Sequence, residues 1–88
     1  MKRKRTSADI AAGRLISAVQ KVWTEYTGTD EGYIAEAVMN RAHDIHQTII
    51  AQRLPEILAG RTIRQFLDED WITFYPDADE AVRDLESL

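Results

Sequence analysis

Apolar residues recur along this chain at helical rather than strand spacing. Ala12, Leu15, Ile16, Val19, Val22, Trp23 and Tyr26 follow the i, i+3, i+4, i+7 rule, with Arg14, Ser17, Lys21, Thr24 and Glu25 on the opposite face. Ser7 is the predicted N-cap of this first helix, Asp9 lies in the first turn where its charge suits the helix dipole, and Gly28 is the predicted stop. A second helix is predicted from Thr29 or Asp30 to about Arg53. Its apolar arc (Ile34, Ala35, Val38, Met39, Ala42, Ile45, His46, Ile49, Ile50) is wider than a two-stranded seam and fits two neighbours at once. Pro55 disfavours a helical Leu54 and ends or kinks that helix.

The remaining pattern is shorter in stride. Pro55 opens a short turn carrying Ile57 and Leu58, closed by Gly60. Thr62 and Gln65 stand at capping-box spacing ahead of Ile63, Phe66 and Leu67. The stretch Trp71 to Tyr75 reads two ways: its aromatic and β-branched content favours an extended segment, while Phe74 continues the stripe of Ile63, Phe66, Leu67 and Trp71. Pro76 forces Tyr75 out of the α region in either case. Asp77 and Glu80 form a second predicted capping box, before a narrow apolar edge of Ala81, Val82, Leu85 and Leu88. The fold class expected is all-α: a small bundle of two long antiparallel helices plus two or three short C-terminal helices, with residues 71–75 as the one candidate for a short extended segment.

Eighty-eight residues make a single domain, read as a flexible basic arm over residues 1–6 and one helical domain over 7–88. A chain this short buries only about 60 to 65% of its unfolded surface, which favours a shared core. The wide arc of the second helix therefore predicts a homodimer, with Met39, Ile45, Ile49 and Ile50 as the self-association set. The absence of cysteine excludes disulfides, thiolate zinc sites and cysteine nucleophiles, and points to a reducing compartment. No run approaches the roughly 20 apolar residues of a membrane span, so the expectation is a cytoplasmic protein with no membrane contact.

Charge is strongly polarised. Lys2, Arg3, Lys4 and Arg5 open the chain, whereas residues 65–88 set Arg83 alone against eight acids, within a net charge of −4. Such blocks act on encounter and solubility more than on fold. The basic block is a candidate nucleic-acid contact through counterion release, although it lacks interleaved aromatics. Arg41, Arg53, Arg61 and Arg64 gather near the end of the second helix, but the small-residue pattern of a helix-turn-helix is missing and the sequence pI is near 5.0.

Candidate chemistry is sparse. His43 and His46 are three apart on the second helix, yet His46 falls in the apolar arc and His43 at its polar edge, so neither is assigned to a metal. The serines lack an elbow-like glycine context and the four glycines are isolated. No cofactor is expected and the chain is read as non-enzymatic. The Trp71 to Tyr75 stretch with its flanking acids is the better site: Trp71, Ile72, Phe74 and Tyr75 as apolar anchors, and Asp68, Asp70, Asp77 and Asp79 as a polar rim. The function expected is a protein-interaction module, a small regulator or adaptor that binds another protein. Two alternatives are an antitoxin-type transcriptional regulator, with a basic DNA contact and an acidic partner-binding end, and an acidic nucleic-acid mimic that occludes a basic partner.

Overall fold

The computed structural model describes residues 7–51 and 53–87, so the basic arm, Gln52 and Leu88 lie outside the described residues. Six helices and no strand occur among them: α1 (Ser7–Glu25), α2 (Asp30–Ile50), α3 (Leu54–Leu58), α4 (Ile63–Leu67), α5 (Glu69–Phe74) and α6 (Pro76–Glu86). The all-α bundle is as expected, with four helices rather than two or three following the long pair.

Helices α1 and α2 are antiparallel, since Asp9 near the start of α1 faces His46 near the end of α2 and the two helices join through the turn at Tyr26 to Thr29. Gly28 sits in that turn at φ +87°, where a side chain would be strained. Thr29 caps α2: its hydroxyl oxygen accepts from the Gly32 N–H at 3.2 Å and its hydroxyl donates to the Tyr26 carbonyl at 2.6 Å. Gly32 is needed for proximity rather than for its torsions, because a Cβ there would collide with the Tyr26 carbonyl. Small residues are buried on both helices of the pair, Ala11 and Ala12 on α1 and Ala35 and Ala42 on α2.

Helix α1 also packs against α6, which is antiparallel to it: Arg14 reaches Glu80 and Asp84, while Val22 and Tyr26 lie by Tyr75, Pro76 and Ala78. Helices α4 and α5 form an elbow between α2 and α6, and their Ile63, Leu67, Trp71 and Ile72 are buried. The arc of α2 is thus covered by α1 on one side and by the C-terminal helices on the other. Ile45, expected on a self-association face, is fully enclosed in the chain's own core, and Met39 and Ile49 pack against it; Ile50 alone of that set is strongly exposed.

Five local expectations change: Ser7 lies inside α1 rather than capping it, and Leu54, ahead of Pro55, is already the first residue of α3. Helix α2 stops at Ile50 rather than Arg53, because the chain turns at Ala51 before Pro55 restarts it in α3. Residues 71–74 are helical, with only Tyr75 extended (φ −106°, ψ 107°), as the following proline requires. The capping box foreseen at Asp77 and Glu80 does not form: Pro76 already occupies the first turn of α6, with Tyr75 as its N-cap and Asp77 inside the helix. The box at Thr62 and Gln65 forms in full.

Candidate interaction site

A helix of six residues cannot hold itself in water, so α5 exists through what anchors it. The Asp68 carboxylate accepts from the Trp71 N–H at 3.2 Å, capping the helix at its elbow with α4. Trp71 and Ile72 then enter the core, at 6% and 0% exposure. The Arg64 guanidinium, on α4, donates to the Thr73 hydroxyl at 3.1 Å and pairs with Asp79 of α6 at 2.7 Å, tying three helices together. At the far end the Tyr75 hydroxyl donates to the Glu31 carboxylate of α2 at 2.7 Å. Burial of the phenol, and then that hydrogen bond to an anion, push its pKa up to about 12.

With both ends of α5 fixed, Phe74 is left outside. It is 75% exposed, the most exposed large apolar side chain among the described residues, and stands edge-on to the Tyr75 ring, which in turn lies 4.5 Å from the ring of Trp71. Beside it, Ile34 of α2 is 41% exposed. Phe74, Ile34 and Trp71 line one shallow groove together with Glu31, Asp68 and Asp70. The result is an aromatic and aliphatic floor inside a carboxylate margin.

The acids of the C-terminal third divide by fate. Asp79 is held by Arg64 and by Arg83 at 3.1 Å, Glu86 faces Arg64, and Glu80 and Asp84 face Arg14. Asp68, Glu69 and Asp70 have no ion-pair partner among the described residues, and neither has Glu31. Folding therefore concentrates uncompensated negative charge around α5 and the start of α2. It also provides no counter-charge there for an incoming cation to displace.

Of the anchors expected from sequence, Phe74, Tyr75 and the edge of Trp71 come together with Asp68 and Asp70. Ile72 does not belong to any surface, being wholly within the core. Asp77 lies on the other side of α6, in the groove against α1, and Asp79 is consumed by its two arginines. Sequence reasoning missed Ile34 and Glu31, since Ile34 read as the first member of a buried arc. The signal was there in the excess width of that arc.

Other candidates are placed in structural roles. Arg41 donates to the Leu67 carbonyl at 2.9 Å, and Arg61 donates to the carbonyls of Ile57 and Leu58, so both satisfy helix C-termini. Arg61 also lies over the Phe66 ring, 5.2 Å from its centroid, and Arg53 pairs with Glu56. His43 is exposed, His46 faces Asp9 at 3.8 Å, and no group of three metal-ligating side chains gathers among the described residues. No described helix is long and apolar enough to cross a membrane. Lys2, Arg3, Lys4 and Arg5 lie outside the described residues. No known protein family, characterised protein or solved structure matches the chain.

Proposed function

We propose that the chain is a non-enzymatic protein-interaction module, a small cytoplasmic regulator or adaptor that holds a basic, partly apolar segment of another protein in the α2–α5 groove. The observation that carries this reading is Phe74: a large aromatic left in water on a helix anchored at both ends, beside Ile34 and inside a margin of carboxylates. Aromatic anchors set in a polar rim are typical of binding hot spots. Lysine and arginine suit such a site twice over, since their stems cover apolar surface while their heads meet carboxylates or an aromatic face.

Selection of peptides from a random library on the immobilised protein, with counter-selection on Phe74→Ala, tests this. Enrichment of sequences that combine Lys or Arg with an aliphatic residue is expected. Their binding should weaken about 30-fold in Phe74→Ala, the loss of a 2 kcal/mol anchor. Selected peptides that are acidic, or that bind Phe74→Ala as they bind the parent, would overturn the proposal.

A further inference from the structure

We infer that the α2–α5 groove takes its basic segment in an extended conformation and draws one of that segment's main-chain carbonyls onto the indole N–H of Trp71. The inference rests on the reading of the groove as a site for basic segments, and adds to it the partner's conformation and a specificity-determining residue. Its ground is independent of charge. Trp71 lines the groove and is 6% exposed, and its Nε1–H is shut off from water with no acceptor among the described residues.

A buried donor left unmet costs more than a made hydrogen bond gains, and such groups are few in folded proteins. The ring of Trp71 lies 4.5 Å from that of Tyr75, a contact that phenylalanine would also make. The neighbouring carboxylates already serve other donors: Asp68 accepts from the Trp71 main-chain N–H, and Glu31 accepts from the Tyr75 hydroxyl. The fold therefore uses the ring of Trp71 and leaves its N–H for a ligand.

The margin decides what kind of acceptor arrives. Glu31, Asp68 and Asp70 have no ion-pair partner among the described residues, so they repel an anionic acceptor and admit a neutral one. The neutral acceptor that every residue of a peptide carries is its main-chain carbonyl. A helical partner uses its carbonyls internally except in the last turn, whereas an extended segment offers them along its length. Extended geometry also suits the floor and the rim. Alternate side chains leave such a backbone on opposite faces, so aliphatic residues meet Phe74 and Ile34 while the intervening bases turn to the carboxylates. Entry to the indole requires the lining to yield, and Phe74, 75% exposed, has room to move aside.

Two probes of equal charge test the inference. One is the pentapeptide acetyl-Arg-Val-Arg-Val-Arg-amide, whose β-branched residues favour extension; the other is an alanine-based helical peptide of about 16 residues carrying three arginines. Each is titrated into the isotope-labelled full chain and followed by nuclear magnetic resonance at its two indole N–H signals, from Trp23 and Trp71, which Trp23→Phe assigns. The pentapeptide should move the Trp71 signal downfield, as a newly hydrogen-bonded proton moves, and should bind Phe74→Ala about tenfold or more weaker. The helical peptide should bind less tightly and leave Trp71 unmoved. Trp71→Phe, which keeps an aromatic ring and loses the donor, should weaken the pentapeptide about fivefold; if that variant unfolds, the indole signal of the parent decides on its own. A pentapeptide that fails to bind, that binds without moving the Trp71 signal, or that the helical peptide outcompetes overturns the inference. If library peptides still bind in a Phe74-dependent way in any of those cases, the groove reading stands alone; if no peptide depends on Phe74, both fall.

Discussion

Helices α3 and α5 are nearly the same length and lie at opposite ends of α2, yet they are held in opposite ways. Helix α5 sinks Trp71 and Ile72 into the core, is capped at its start by the Asp68 side chain, and is tied at its other end by Arg64 through Thr73 and by Glu31 through Tyr75. Helix α3 buries no residue, has no side-chain cap at Arg53, and ends on Ala59 in the left-handed region. Both leave apolar atoms in water: Phe74 on one, and the half-covered Leu54, Ile57 and Leu58 on the other. Exposed apolar surface is only a useful recognition surface when its position is settled beforehand, since ordering it on binding costs affinity. Phe74 meets that condition and the α3 leucines do not.

Unequal anchoring has measurable consequences. The largest is expected at Ile72→Ala, which should destabilise the fold by about 2 to 5 kcal/mol in urea unfolding, against about 1 kcal/mol or less for Leu58→Ala. Equal losses would mean that the two helices are held alike. Next, Asp68→Ala should cost about 1 kcal/mol and Asp68→Asn much less, because asparagine also caps; Arg53→Ala, at the uncapped start of α3, should stay within about 0.5 kcal/mol.

Tyr75→Phe removes one tie between α5 and α2 and should cost somewhat under about 1 kcal/mol, since solvent reaches part of the phenol. Its folded pKa is raised from 10.0 to about 12, so the protonated phenol is the form the fold favours. The contribution is whole below pH 10 and disappears as pH rises through about 12. Ultraviolet titration should show one of the three tyrosines ionising only in that window, and Tyr75→Phe should abolish that late step. The smallest effect is a gain. Ala59→Gly should stabilise by a few tenths of a kcal/mol up to about 1, because φ 52° strains an alanine while glycine gives back part of the gain in unfolded-state entropy. A loss there would show that α3 depends on the alanine methyl.

What could be read from sequence was local. The stripes of α1 and α2, the start of α2 at Thr29 or Asp30, the Thr62–Gln65 box and an interruption ahead of Pro55 all depend on residues within a few positions of one another. The cap at Asp68 escaped notice because helix and strand propensities compete over Trp71 to Tyr75 until Ile72 finds the core. The division of the acidic block escaped for a related reason: Asp79 and Asp70 are equivalent as letters. Arg64 reaches one and not the other only once α4 has folded against α6. Ile34 and Ile45 likewise share one arc, and the position of α5 decides that the first borders a groove and the second is sealed.

The packing of α6 against α1 closes a loop that spans nearly the whole chain, with Arg14 meeting Asp84 at 3.3 Å. During synthesis, the side of α1 that α6 will cover stays bare until α2 to α5 have been made, and a chain halted before Ala78 lacks the helix that seals it. The same closure brings the outer ends of α1 and α6 to one end of the bundle. A permuted gene that joins them through a short linker and opens the chain at the α2–α3 turn should still encode this fold.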